Sequence, residues 1–156
     1  MTPALEALAG EFADAADAAA FVRIVFRLSL AALLGGLLGY QRERQGKAAG
    51  VRTHMLVALG AALFILVPER AGTPVVDLTR VLQGVAVGIG FLGAGAIVKH
   101  DAERSIQGLT TAAGIWLTAA TGLACGAGRA GTAIVSASLA FVILALVPHI
   151  GRVTDK

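Results

Sequence analysis

Residues 81–98 read VLQGVAVGIGFLGAGAIV, eighteen positions without a single Asp, Glu, Lys or Arg. An uninterrupted apolar stretch of this length is what a helix needs to cross a hydrocarbon core. Its glycines, Gly84, Gly88, Gly90, Gly93 and Gly95, point the same way. In water each would weaken a helix by about 1 kcal/mol relative to Ala. In lipid, helices associate through close backbone contact, and small residues permit it. Gly88-Ile-Gly90-Phe-Leu-Gly93 also matches G-x-G-x-x-G by letter. That fingerprint binds a dinucleotide only between a strand and a following helix, so a nucleotide site is rejected. The glycines predict either a close helix crossing or a local break of the kind that forms ion sites in transporters.

Working outward, four more apolar runs appear: 21–40, interrupted by Arg23 and Arg27, then 53–67, 109–126 and 130–147. The fold class is therefore all-α: a polytopic membrane bundle of about five transmembrane helices. It fills residues 21–148, after an acidic head at 1–20 and before a short tail at 149–156. The links are short, so successive helices run antiparallel. Run 53–67 is short of a full span. It either borrows a turn from Val51 and a snorkelling Arg52, or spans in part. Pro68 and Pro148 stand where helices are expected to stop.

Composition agrees. Hydrophobic residues make up 56% of the chain and charged residues 15%, against roughly 25% charged in soluble domains. The net charge of +3 does not indicate nucleic acid, because the cations cap apolar runs and form no helical stripe. Cys125 is the single cysteine and reads as a small packing residue. Glu6, Glu11, Asp14 and Asp17, with no Lys or Arg before Arg23, exclude a signal peptide at the start. With five crossings, one side carries Arg42, Arg44, Lys47, Arg52, Lys99, Arg104, Arg152 and Lys156, and the other Arg70, Arg80 and Arg129. The positive side is cytoplasmic, which places the N-terminus outside and the C-terminus in the cytoplasm.

Small residues recur four apart, on one helix face: Ala31, Gly35 and Gly39; Gly84 and Gly88; Ala86, Gly90 and Ala94; Thr110, Gly114, Thr118, Gly122 and Gly126. They predict tight packing within the chain or a homo-oligomer. Two polar groups are candidate sites. One is cytoplasmic, with Arg42, Glu43, Arg44, Lys47, Arg52, Thr53 and His54, in which Glu43 is held among the arginines. The other lies on the outer side, with Arg23, Arg27, Asp77, Arg80 and Gln83, in which Asp77 is the counter-charge of Arg27 and Arg80 competes for it. Lipid headgroups offer both groups a plainer role. His54 has no His or Cys at metal spacing, and no catalytic constellation assembles. No enzyme, cofactor or metal site is expected.

Three blocks then carry a likeness. The first lies in Gly35 to Leu63, with Gly39-Tyr40-Gln41-Arg42-Glu43-Arg44, Gly46-Lys47, Gly50-Val51-Arg52-Thr53-His54 and Gly60-Ala61-Ala62. The second runs from Arg80-Val81-Leu82-Gln83-Gly84 through Gly88 to Ile97. The third is Gly108-Leu109-Thr110-Thr111-Ala112-Ala113-Gly114-Ile115-Trp116, followed by Ala119-Ala120-Thr121-Gly122-Leu123 and Gly126. In these blocks the chain resembles the MgtC/SapB family of bacterial inner-membrane proteins. The resemblance implies a multispanning fold and a link to magnesium homeostasis, and in some members to virulence through survival in host cells. Members are often called magnesium transporters, while the best-known ones look like regulators of other membrane proteins, including the ATP synthase. Those members carry a soluble C-terminal domain; this chain looks like a short form without it. Gln41 stands where many relatives have Glu. Importance carries over to Arg42, Glu43, Arg52, Thr53, His54, Asp77 and Arg80. The expected function is regulation through a membrane partner within the bilayer. The alternative is a small transporter or channel for Mg²⁺ or another solute, lined by run 81–98 and Arg52 to His54.

Overall fold

Asp17 begins the first long helix: its side chain accepts from the Ala19 amide at 2.9 Å, which satisfies one of the unpaired donors of the first turn. Helix α2, Ala18–Arg44, then runs for 27 residues, about 40 Å at 1.5 Å per residue. The computed structural model describes residues 2–12, 17–100 and 105–151. Their order is α1 (Pro3–Glu11), α2, α3 (Val51–Arg70), α4 (Val75–Gly95), β1 (Val98–His100), β2 (Ser105–Gln107), α5 (Leu109–Gly126) and α6 (Ala130–Gly151). Helices α2 to α5 are long and apolar enough to cross a membrane. Helix α6 is apolar along Ala130–Leu146. The protein is a multi-pass membrane helix bundle.

Glycines end the long helices. Gly46 follows α2 at φ +66° and Gly128 follows α5 at φ +71°. At each, two amides turn back onto carbonyls of the final turn, Gly46 to Glu43 and Lys47 to Arg42, Gly128 to Cys125 and Arg129 to Ala124. This is a Schellman closure, and its left-handed residue favours glycine. The tight reversal lays each next helix antiparallel to the last.

Helices α2, α3 and α5 pack against one another, α4 lies on α5 and α3, and α6 lies on α5 and α2. The centre is built of small side chains. Ala31, Ala58, Ala62, Cys125 and Ala133 form one buried cluster. Ala49, Ala61, Ile89, Ile115 and Ala119 form another. Large apolar side chains point outward instead, among them Leu33, Phe64, Phe91, Trp116 and Leu139. In water this arrangement would be inverted; hydrocarbon surroundings require it.

Several expectations are corrected. The third span covers Val75–Gly95, not 81–98. Pro74 precedes it, Asp77 complements the dipole in its first turn, and Arg80 pairs with Asp77 one turn on; the charges hid this start from an apolar count. The helix is continuous through its glycines. Helix α3 has 20 residues, a full span of about 30 Å, and Pro68 lies inside its last turn rather than beyond its end. Helix α6 likewise continues past Pro148 to Gly151. The link from Lys99 to Gly108 contains a hairpin, Val98 opposite Gln107 and His100 opposite Ser105. Residues 101–104 and 152–156, with Arg104, Arg152 and Lys156, lie outside the described residues.

Candidate functional site

The end of the bundle where α2 stops and α3 starts holds the densest buried polar group. Arg42 and His54 are 3% and 0% exposed. Arg42 Nη2 donates to Thr111 Oγ1 on α5 at 3.1 Å, and Nη1 donates to Gln45 Oε1 at 3.1 Å. Gln45 Nε2 donates in turn to the Leu144 carbonyl of α6 at 3.1 Å. Arg42 thus ties the end of α2 to the start of α5, and through Gln45 to α6.

His54 of α3 lies between α2 and α5 at the same end of the bundle. Its Nδ1 lies 3.0 Å from the Gly50 carbonyl; a carbonyl only accepts, so Nδ1 carries the proton. Nε2 has no partner among the described residues, and neither have Arg42 Nε and Gln41 Oε1. Buried polar atoms ordinarily find one, so this turn is equipped for one further polar contact. Gly114 leaves the space beside the ring: a Cβ there would stand 3.7 Å from His54 Nε2. Thr118 Oγ1 is occupied by the Gly114 carbonyl at 2.8 Å. Among the described residues no three His, Cys, Asp or Glu side chains group as a metal would require.

The rest of the expected cytoplasmic group is dispersed. Glu43 forms no ion pair with the arginines; its Oε2 accepts the Val51 amide at 2.8 Å, which caps the start of α3. Arg44 lies over the Tyr40 ring at 5.6 Å. Lys47 and Arg52 are exposed, and Thr53 is half-buried. Thr111, Gln41 and Gln45 were not among the expected residues. Thr111 is buried and Thr110, the first member of the α5 stripe, is exposed, one step round the helix from the four-residue count.

The outer group divides in two. Arg27 Nη1 donates to Glu69 Oε2 at 2.6 Å and to the Gly126 carbonyl at 2.8 Å. Glu69, not Asp77, is its counter-charge, because the end of α3 packs beside the start of α2. Asp77 instead pairs with Arg80 at 3.3 Å, both on α4. Gln83 is exposed and Arg23 borders a cleft with Arg27 and Glu69.

The packing glycines also divide. Cβ atoms at Gly35 and Gly39 would approach the backbone carbonyls of His54 and Gly50 at 2.6 and 2.7 Å. At Gly122 and Gly126 they would strike the carbonyls of Ala58 and Ala62. Gly93 meets Ala112 at 3.5 Å. Gly84, Gly88, Gly90 and Gly95, expected to pack, meet nothing within 4 Å. Gly84 and Gly88, with Gly60 of α3, border an open apolar groove of about 790 Å³ between α3 and α4, with Arg52 at one end.

With this geometry in view, known proteins place the chain. The sequence profile described as the MgtC family matches residues 28–153. The chain belongs to the MgtC family. Among curated members, SrpB of Synechococcus elongatus is 47% identical over 114 residues, 66% of this chain and 63% of that protein. YhiD of Escherichia coli K12, provisionally named a magnesium transporter, is 39% identical over 127 residues, 77% of this chain and 58% of its own length. MgtC of Brucella abortus is 40% identical over 128 residues, 82% of this chain and 52% of its own. The chain thus spans between half and two-thirds of these relatives. No solved structure matches. The matched segment of the MgtC family includes both Arg42–His54 and the α3–α4 groove.

Proposed function

We propose that this chain is a bacterial inner-membrane regulator in magnesium homeostasis, acting by docking a transmembrane helix of a partner protein in the α3–α4 groove. The carrying observation is the contrast between two sets of glycines. Gly35 and Gly39 of α2 and Gly122 and Gly126 of α5 press on backbone, whereas Gly60, Gly84 and Gly88 open on a groove that none of the described residues fills. From Arg52 to Phe64 the groove follows α3 for about 18 Å, and small residues let a partner's backbone approach closely. A second copy of the chain is the other candidate occupant. The magnesium link comes from family membership and from the name given to YhiD.

Transport of Mg²⁺ is the second reading, favoured by that same name and by the unpartnered atoms near His54. Against it stand the backbone contacts at Gly35, Gly39, Gly122 and Gly126, which close the space among α2, α3 and α5. Arg42, buried and without an acid partner among the described residues, moreover opposes a passing cation.

Gly88→Leu tests the choice. It fills the groove at a position with open space, so the bundle should melt as the wild type does, while growth under magnesium limitation becomes that of the deletion strain. Wild-type growth with Gly88→Leu, together with Mg²⁺ uptake by proteoliposomes of the purified chain, would favour transport instead.

A further inference from the structure

At the end of the bundle opposite His54, a cleft of about 200 Å³ opens between the start of α2 and the end of α3. Its polar lining is Arg23, Arg27, Glu69 and Arg70, with Ile24 and Leu66 as the apolar wall. Three guanidiniums face one carboxylate. That carboxylate is already committed to Arg27, whose Nη1 also holds the Gly126 carbonyl. The Arg23 and Arg70 side chains have no ion pair and no hydrogen bond among the described residues. Two cations therefore flank a preformed concavity, with their neighbouring acid neutralised.

We propose that this cleft binds a phosphate-type oxyanion, supplied by a lipid headgroup or by free phosphate. Guanidinium forks match the paired oxygens of phosphate. The surplus positive charge favours an anion over a zwitterion. Position agrees as well. Arg23 and Arg44 are about 32 Å apart along α2 at 1.5 Å per residue, close to the roughly 30 Å thickness of the hydrocarbon core. The cleft accordingly stands at headgroup depth, within reach of a lipid phosphate. Exposed Phe21 and Phe26 continue the apolar surface beside Ile24. The inference is independent of the regulatory reading, because the cleft shares no residue with the α3–α4 groove.

The test uses the full chain in detergent, as wild type, R23Q/R70Q and R129Q. Arg129 is an exposed cation outside the cleft and controls for general surface charge. Native mass spectrometry reads binding of phosphatidylglycerol against phosphatidylcholine. Thermal unfolding reads binding of inorganic phosphate. Phosphatidylglycerol binding that survives in R129Q and falls about 30-fold in R23Q/R70Q supports the proposal with lipid as the source. A phosphate-induced rise in melting temperature with the same dependence supports it with free phosphate as the source. Should the double variant not fold, R70Q alone changes only the last residue of α3 and is expected to weaken binding about fivefold. Equal binding by wild type and cleft variants, equal loss in R129Q, or no binding of either probe by the wild type overturns it.

Discussion

Arg27 and Arg42 stand about 22 Å apart on α2 at 1.5 Å per residue, inside the hydrocarbon thickness. Each is held by a group from another helix: Glu69 and the Gly126 carbonyl for Arg27, and Thr111 for Arg42, with Gln45 at the cap of α2 as its second acceptor. An arginine at such depth persists when it faces protein and is hydrogen-bonded there. Thr111→Val keeps the shape of the residue and removes the acceptor from a buried cation. The loss is expected to be about 1–3 kcal/mol, read as a lower melting temperature in detergent, with Thr110→Val as the exposed control that changes little. An unchanged melting profile for Thr111→Val would mean that Arg42 finds water or lipid instead. These charges were legible in the sequence as breaks in apolar runs; their partners were not. Glu69 lies nearly as far after the α2–α3 turn as Arg27 lies before it, so antiparallel pairing of neighbours already brings the two together. The reading that chose Asp77 looked to the next helix entry instead. Thr111 was missed because a four-residue count slips round a helix of 3.6 residues per turn.

At the scale of the element, glycine has two uses here, and a Cβ separates them. Gly122→Ala drives a methyl into the Ala58 carbonyl, a backbone atom that cannot swing aside. Helices α3 and α5 must then part, at an expected loss of about 1–3 kcal/mol or more. Gly88→Ala meets nothing within 4 Å, so its melting temperature should equal or slightly exceed that of the wild type. Equal effects of the two substitutions would contradict the packing described. Helix existence was readable from hydrophobic runs because each span must keep its backbone polar groups paired internally. Boundaries were less so. Asp77 and Arg80 masked the first turn of α4, and Pro68 sits in a last turn that tolerates it. Three-residue strands such as Val98–His100 give too few alternations to be seen. Which glycines pack was not legible either, since Gly84 and Gly122 look alike until their helices are placed.

For the whole molecule, the expectation from the sequence is that the end bearing Lys47 faces the cytoplasm. In a Cys125→Ala background, Lys47→Cys should resist a membrane-impermeant maleimide applied from outside and Arg129→Cys should react; the reverse pattern would invert the bundle. The same architecture leaves α4 on the rim, fixed through Ile89 and Gly93, with its other small residues turned away from the core. The central claim is that a protein helix, not lipid alone, completes this rim. The most direct measurement is photo-crosslinking in intact membranes, with the probe at Val85 in the groove and, for comparison, at Ile143 on the apolar outer face of α6. A discrete protein adduct from Val85 that is missing from Ile143 and from Gly88→Leu is the predicted result. Lipid adducts alone from both positions would contradict it.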